Sequence, residues 1–116
     1  MKEDNRVSLQ KSQGIPILVI SGDVSDAIED SLKSAYASAC ESQPQSFILK
    51  FDTSGHIYSS GLAALLGVVG EARKKGQRIG VIGLSEHFAG VFRLIGLTKH
   101  VELFPSEAYA LDTFTN

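Results

Sequence analysis

Short apolar runs alternate along this chain with segments whose apolar residues recur every three or four positions, and that alternation leaves few architectures open. Val7 and Leu9 alternate with polar neighbours, Ser12-Gln13-Gly14 carries turn chemistry, and Ile15 to Ile20 is an apolar, largely β-branched run. Together they predict two strands in an antiparallel hairpin. Pro16 lacks an amide donor, so it belongs at the start of its strand or on an edge. After Gly22 the period changes: Ile28, Leu32, Ala35, Ala39 and Cys40 form a helical stripe. Ser25 or Asp26 would cap that helix, Asp26 with Glu29 fits a capping box, and Gln43-Pro44 stops it. Phe47 to Phe51 predicts a buried strand. Leu62, Leu65, Leu66 and Val69 then give a second helix that begins near Ser60 and ends at Arg73-Lys74-Lys75-Gly76. Ile79 to Ile82 is another strand. Ser85-Glu86 opens a helix with Phe88, Val91, Phe92 and Ile95 on one side, and Gly96 ends it. A short strand from Val101 to Phe104 and a last helix behind Pro105-Ser106-Glu107, with Ala108, Leu111 and Phe114 inward, complete the chain.

The order ββαβαβαβα predicts one α/β domain over residues 1–116, with residues 1–5 expected to fray. Strands joined by single helices are parallel neighbours, so the sheet should be mixed and mostly parallel, with the N-terminal hairpin as its antiparallel edge and about four helices around it. Sheets of this kind carry functional loops at the carboxyl ends of their parallel strands. Here those loops are Gly22 to Asp26, Asp52 to Ser60 and Gly83 to Glu86.

Composition narrows the function. A formal charge of −2 supplies no phosphate-seeking field, which argues against a nucleic-acid binder. The stretch from Thr53 to Gly70 lacks Asp, Glu, Lys and Arg, but its first half is too polar and its apolar remainder too short to span a bilayer, so no membrane insertion is expected. The single cysteine, Cys40, cannot form an internal disulfide and reads as a small apolar helix residue of a reducing compartment. No targeting pattern is visible near Met1 to Arg6, and the expected location is the cytoplasm.

The most polar connection runs Asp52-Thr53-Ser54-Gly55-His56-Ile57-Tyr58-Ser59-Ser60-Gly61-Leu62. Small hydroxylated residues there meet a helix start. A serine at the cap satisfies amides that the first turn leaves unpaired, which explains one serine of the pair but not both. The same positive helix end tolerates a phosphate, which adds about −1.5 to −2 charges.

These residues resemble the STAS domain, the family shared by sulfate transporters and bacterial anti-sigma factor antagonists. The resemblance covers nearly the whole chain: Gly22-Asp23-Val24 after the hairpin, Phe47 to Asp52 followed by Thr53-Ser54-Gly55, Ser59-Ser60-Gly61-Leu62, the Gly76 to Gly83 region, and Phe92-Arg93-Leu94-Ile95-Gly96-Leu97. In the antagonists the motif reads Asp-Ser-Ser-Gly-Leu, and a partner anti-sigma factor that is a serine kinase phosphorylates its first serine. The resemblance therefore implies Ser59 as phosphorylation acceptor, with Ser25, Asp26, Tyr58, Ser60, Gly61 and Leu62 bordering the partner contact. It also implies a non-enzymatic bacterial switch in transcription control: the unphosphorylated domain binds the anti-sigma factor kinase, phosphorylation releases it, and a serine phosphatase restores it. Two positions depart from the pattern. Tyr58 stands where the family usually has Asp, and Ser25 where the loop after the second strand commonly has another. A phenol supplies no carboxylate charge at neutral pH. The alternative is thus a STAS scaffold, an assembly subunit of a signalling or transport complex without phosphoregulation. Homo- or hetero-oligomerisation is left open.

Other chemistries fit less well. Asp52, His56 and Ser59 or Ser60 have the residue types of a hydrolase triad, but the Gly-x-Ser-x-Gly elbow is missing. His87 and His100 stand alone, without metal-ligand spacing, so no metal is expected. The glycines at 67, 70, 76, 80 and 83 fit neither Gly-x-Gly-x-x-Gly nor the P-loop, and no cofactor is expected. The basic group Arg73, Lys74, Lys75 and Arg78 reads as a solvated helix end, with a contact for an acidic partner as the alternative.

Overall fold

The computed structural model describes residues 6–52 and 56–116; the fray expected at residues 1–5 and the Thr53-Ser54-Gly55 part of the motif lie outside the described residues. Two strands, β1 (Arg6–Ser12) and β2 (Ile15–Ser21), form the expected hairpin, with Arg6 opposite Ser21 and Ser12 opposite Ile15. Its turn residues Gln13 and Gly14 both have positive φ, 53° and 81°. That is the backbone a two-residue turn needs to match strand twist. Pro16 is the second residue of β2, just before pairing with the next strand begins at Ile17.

The remaining elements are α1 (Glu29–Cys40), β3 (Ser46–Asp52), α2 (Ser59–Lys74), β4 (Arg78–Ile82), α3 (Glu86–Leu94), β5 (Glu102–Leu103) and α4 (Glu107–Thr115). Short 3-10 turns at Asp26–Ile28 and Leu97–Lys99 precede α1 and follow α3. The sheet runs β1-β2-β3-β4-β5, antiparallel only between β1 and β2. Because the order never reverses, the topology has no switch point, the place where open α/β sheets hold nucleotides.

Strand alternation divides the core between the two faces of the sheet. Leu18, Ile20, Phe47, Leu49, Phe51, Ile79 and Val81 pack with Leu32 and Tyr36 of α1, Leu65 and Val69 of α2, and Phe92 of α3. Ile17, Val19, Ile48 and Ile82 point the other way, onto Ala110 and Leu111 of α4. Lys50 shares that second face and bonds Glu107 at the start of α4 at 3.0 Å. Three helices therefore cover one face and α4 the other.

One open choice is settled and three expectations need correction. Ser25, not Asp26, caps the first helical segment, its hydroxyl accepting from the amide of Ala27 at 3.2 Å; Asp26 lies inside the 3-10 turn. Leu66 and Ile95 are each 47% exposed, and Leu62, Phe88 and Val91 are half-buried rather than enclosed. In α4, Ala110 faces inward beside Leu111 while Ala108 is exposed. The last strand shrinks to Glu102–Leu103. Periodicity reports the direction of a side chain, and the exposed helix residues lie where the helix has no neighbour on that side to cover it.

Alpha 2 ends as its sequence predicts. The amide of Gly76 donates to the Arg73 carbonyl at 3.1 Å and that of Gln77 to Ala72 at 3.0 Å, the paired bonds of a Schellman motif. Below it, the Tyr36 hydroxyl donates to Gln77 Oε1 at 2.6 Å. Burial foremost, then the neighbouring Cys40 thiol, raises the Tyr36 phenol far above its ordinary range, so it stays protonated.

Candidate functional site

At the carboxyl ends of β2 and β3, the segments that the sequence singles out meet and hold each other. Val24 and Ile57 form a one-rung parallel bridge: the amide of Val24 donates to His56 O and the amide of Tyr58 to Val24 O, each at 2.8 Å. The amide of His56 donates to Asp23 Oδ1 at 2.9 Å. One residue into α2, the amide of Asp26 donates to Ser60 Oγ at 3.0 Å, across 34 residues of sequence. Gly61 follows, buried, because a Cβ there would run into the carbonyl of Val24. The start of α2 is thus set against the loop after β2, with only hydrogen between the two backbones at the closest approach.

This arrangement assigns different work to the two serines. Neither caps α2. The cap position belongs to Tyr58, which is extended at φ −92° and ψ 160° and makes no side-chain cap bond. Its carbonyl accepts from the amide of Leu62 at 2.9 Å, which starts the helix one residue earlier than the serine pattern suggests. Ser60 is exposed but engaged, as the acceptor that ties α2 to Asp26. Ser59, the first helical residue, is exposed, and its hydroxyl makes no hydrogen bond among the described residues.

The surroundings suit added negative charge. The 3-10 turn before α1 carries Asp26 in its first turn, α1 Glu29 and Asp30, α3 Glu86 and α4 Glu107, whereas α2 is the one α-helix among the described residues with no acidic residue in its first turn. Its free amides and positive dipole end therefore lack the carboxylate that offsets them elsewhere. Tyr58 is 48% exposed and stands edge-on to His56, ring centroids 6.1 Å apart, so an aromatic pair borders the serine.

All seven residues put forward from sequence come together here. Ser25 caps the turn, Asp26 binds Ser60, Tyr58 and Ser59 face outward, Gly61 is enclosed, and Leu62 is half-buried. Sequence reasoning missed Asp23, Val24 and the backbone of His56 as partners of this junction. The one available signal was Gly61, whose lack of a side chain directly after two serines marks a close backbone approach. Of the triad reading, His56 lies in the loop just before α2 and the serines in its first turn, while the side chain of Asp52 lies outside the described residues. Among the described residues no group of three or more His, Cys, Asp or Glu could hold a metal ion, and no helix is long and apolar enough to cross a membrane.

Comparison with known proteins places this geometry. The STAS domain model matches residues 6–110. No curated protein matches the sequence significantly. Among solved structures, the chain is similar to an anti-sigma factor antagonist from Mycobacterium paratuberculosis, with a TM-score of 0.78, 19% identity, and coverage of 95% of this chain and 93% of that one. It is also similar to the anti-sigma factor antagonist SpoIIAA in its unphosphorylated form (TM-score 0.73, 17% identity, 95% and 98% covered). The phosphorylated form of SpoIIAA, a Bacillus cell fate determinant, matches with a TM-score of 0.71 at 18% identity, 92% and 97% covered. At these identities the structures share the fold.

Proposed function

The chain belongs to the STAS domain family, and from that premise we propose that it is a non-enzymatic, phosphorylation-regulated protein-binding module of the anti-sigma factor antagonist type. Its partners are a serine-kinase anti-sigma factor and a serine phosphatase, and Ser59 is the acceptor. The observation that supports this reading is the contrast at the start of α2: Ser59 is exposed and its Oγ is unbonded among the described residues, while Ser60 Oγ is occupied by the amide of Asp26. Of the two serines, the one whose hydroxyl is open to a kinase is Ser59. A phosphoryl group there would place about two negative charges at a helix start with no acidic residue in its first turn. The same dianion would have to be desolvated or repelled within a packed interface, which dissociates the partner.

Incubation with ATP and the cognate kinase, followed by intact-mass measurement, tests the assignment. The wild type and Ser60→Ala should gain one phosphoryl group of about 80 Da and Ser59→Ala none. Modification of Ser60 in place of Ser59, or of neither, overturns it.

Tyr58 favours one second reading. With a half-exposed phenol where the family usually has a carboxylate, the same surface would serve as a constitutive docking face of a STAS scaffold. Stable complex formation that is unchanged by Ser59→Asp would select it.

A further inference from the structure

The two edges of the sheet are protected to different degrees. Strand β5 is two residues long and Pro105 stands two residues beyond it, so that edge offers an incoming strand almost nothing to pair with. Strand β1 is seven residues long, keeps an unbroken register from Arg6 opposite Ser21 to Ser12 opposite Ile15, and contains neither proline nor bulge. Among the described residues no strand pairs with its outer side. The two-residue turn makes Ser12 and Ile15 a hydrogen-bonded pair, and bonded pairs then recur at Gln10 with Ile17 and Ser8 with Val19. The amides and carbonyls of Val7, Leu9 and Lys11 therefore point away from β2, off the edge.

The side chains of the same three residues lie on the α1 face, because Val7 is opposite Ile20 and Leu9 opposite Leu18, which pack beneath that helix. There α1 leaves them room. Val7 and Leu9 form an open groove of about 540 Å³ with Asp30, Ser31, Ser34 and Ser38, a flank of short side chains, and Leu9 is 37% exposed. Helix α1 runs in the direction of β1, since both are antiparallel to β2. Asp30 in the first turn of α1 and Val7 near the start of β1 thus share one end of the groove, and Lys11 stands toward the other. Neither Lys11 nor Asp30 has an ion pair among the described residues.

We propose that β1 docks on the β1 of a second copy of this chain, antiparallel about a two-fold axis through Leu9, joining the two sheets into one. In that register Leu9 meets Leu9 of the second copy and Val7 meets its Lys11, so every outward-pointing group of the two strands finds a partner. Seating Lys11 of one copy across from Val7 of the other brings its ammonium to the Asp30 end of the groove, twice by symmetry. On the α4 face Ser8 comes opposite Gln10, a polar pair. Registers displaced by two residues leave one outward residue of each copy beyond the end of its neighbour's strand and carry Lys11 away from Asp30. A lysine on an edge strand by itself keeps other strands off. Here the carboxylate that would satisfy it belongs to the same surface, as a self-complementary interface requires. None of these residues is among those assigned to the anti-sigma factor contact, and self-docking needs no phosphorylation at Ser59.

Sedimentation of the full chain from micromolar to millimolar concentration, with amide hydrogen exchange at both ends of that range, tests the pairing. The wild type should pass from monomer to dimer. In the dimer the amides of Val7, Leu9 and Lys11 should gain protection, whereas those of Ser8 and Gln10, already bonded to β2, should exchange slowly in both states. Lys11→Glu and Asp30→Lys should each weaken the dimer about tenfold, through two pairs of like charges, and the two combined should restore it. Leu9→Pro, which deletes only an outward amide, should give a folded monomer. A monomer at every concentration, protection gained elsewhere, or a dimer indifferent to the charge reversals overturns the proposal.

Discussion

Serine opens three helical segments of this chain in one way and the fourth in another. At α3 and α4, Ser85 Oγ accepts from the amide of Phe88 at 3.2 Å and Ser106 Oγ from that of Tyr109 at 3.1 Å, and Glu86 or Glu107 follows at once. Ser25 does the same for the 3-10 turn before α1. At α2, two serines stand at the start, neither caps, and no carboxylate follows. Where the residue's task is structural, one hydroxyl suffices and turns inward to the helix. At α2 one hydroxyl reaches sideways to another segment, and the other is exposed and without a hydrogen bond among the described residues.

That contrast can be broken most forcefully at Gly61. Gly61→Ala puts a methyl group against the Val24 carbonyl and should cost about 2–3 kcal/mol in urea unfolding, because backbone must move. Next come the true caps: Ser106→Ala and Ser85→Ala should each lose about 1 kcal/mol. The other end of α2 gives a comparison by pH. The Tyr36 phenol is raised in the folded state, so its contribution is complete below the unfolded value of about 10 and is lost as pH rises beyond it. Stability should therefore fall in alkali, and Tyr36→Phe should flatten that fall. Ser60→Ala frees only an exposed amide that water will solvate, and about 0.5 kcal/mol is expected. Smallest of all, Ser59→Ala should stay within about 0.5 kcal/mol of wild type. Ser59→Asp should gain about 0.5 kcal/mol from the uncompensated helix end. A loss of 1 kcal/mol in Ser59→Ala would mean that Ser59 is a cap after all.

The sequence was most legible where the determining contacts are local. The Gln13-Gly14 turn, the strand-helix alternation, the end of α2 at Gly76 and the Ser85 and Ser106 starts each depend on residues within one turn of one another. Where distant segments decide, it misled. The bond of Leu62 to the Tyr58 carbonyl moves the helix start past both serines, and the Val24–Ile57 bridge that fixes Tyr58 joins residues with no local signal for each other. Leu66 and Ile95 obey the helical period and still stand in solvent, because the period gives an angle and not a neighbour. Ser59 was named through the family motif. Its unbonded hydroxyl, and the engagement of Ser60, became visible only in three dimensions.

The single rung between Val24 and Ile57 has a mechanical consequence. It pins the platform of Ser59 from the neighbouring crossover, so the number of residues strung between β3 and His56 need not dictate where that serine sits. Lengthening that stretch by a glycine or two should leave the serine's address unchanged, whereas severing the rung would set both crossovers adrift together.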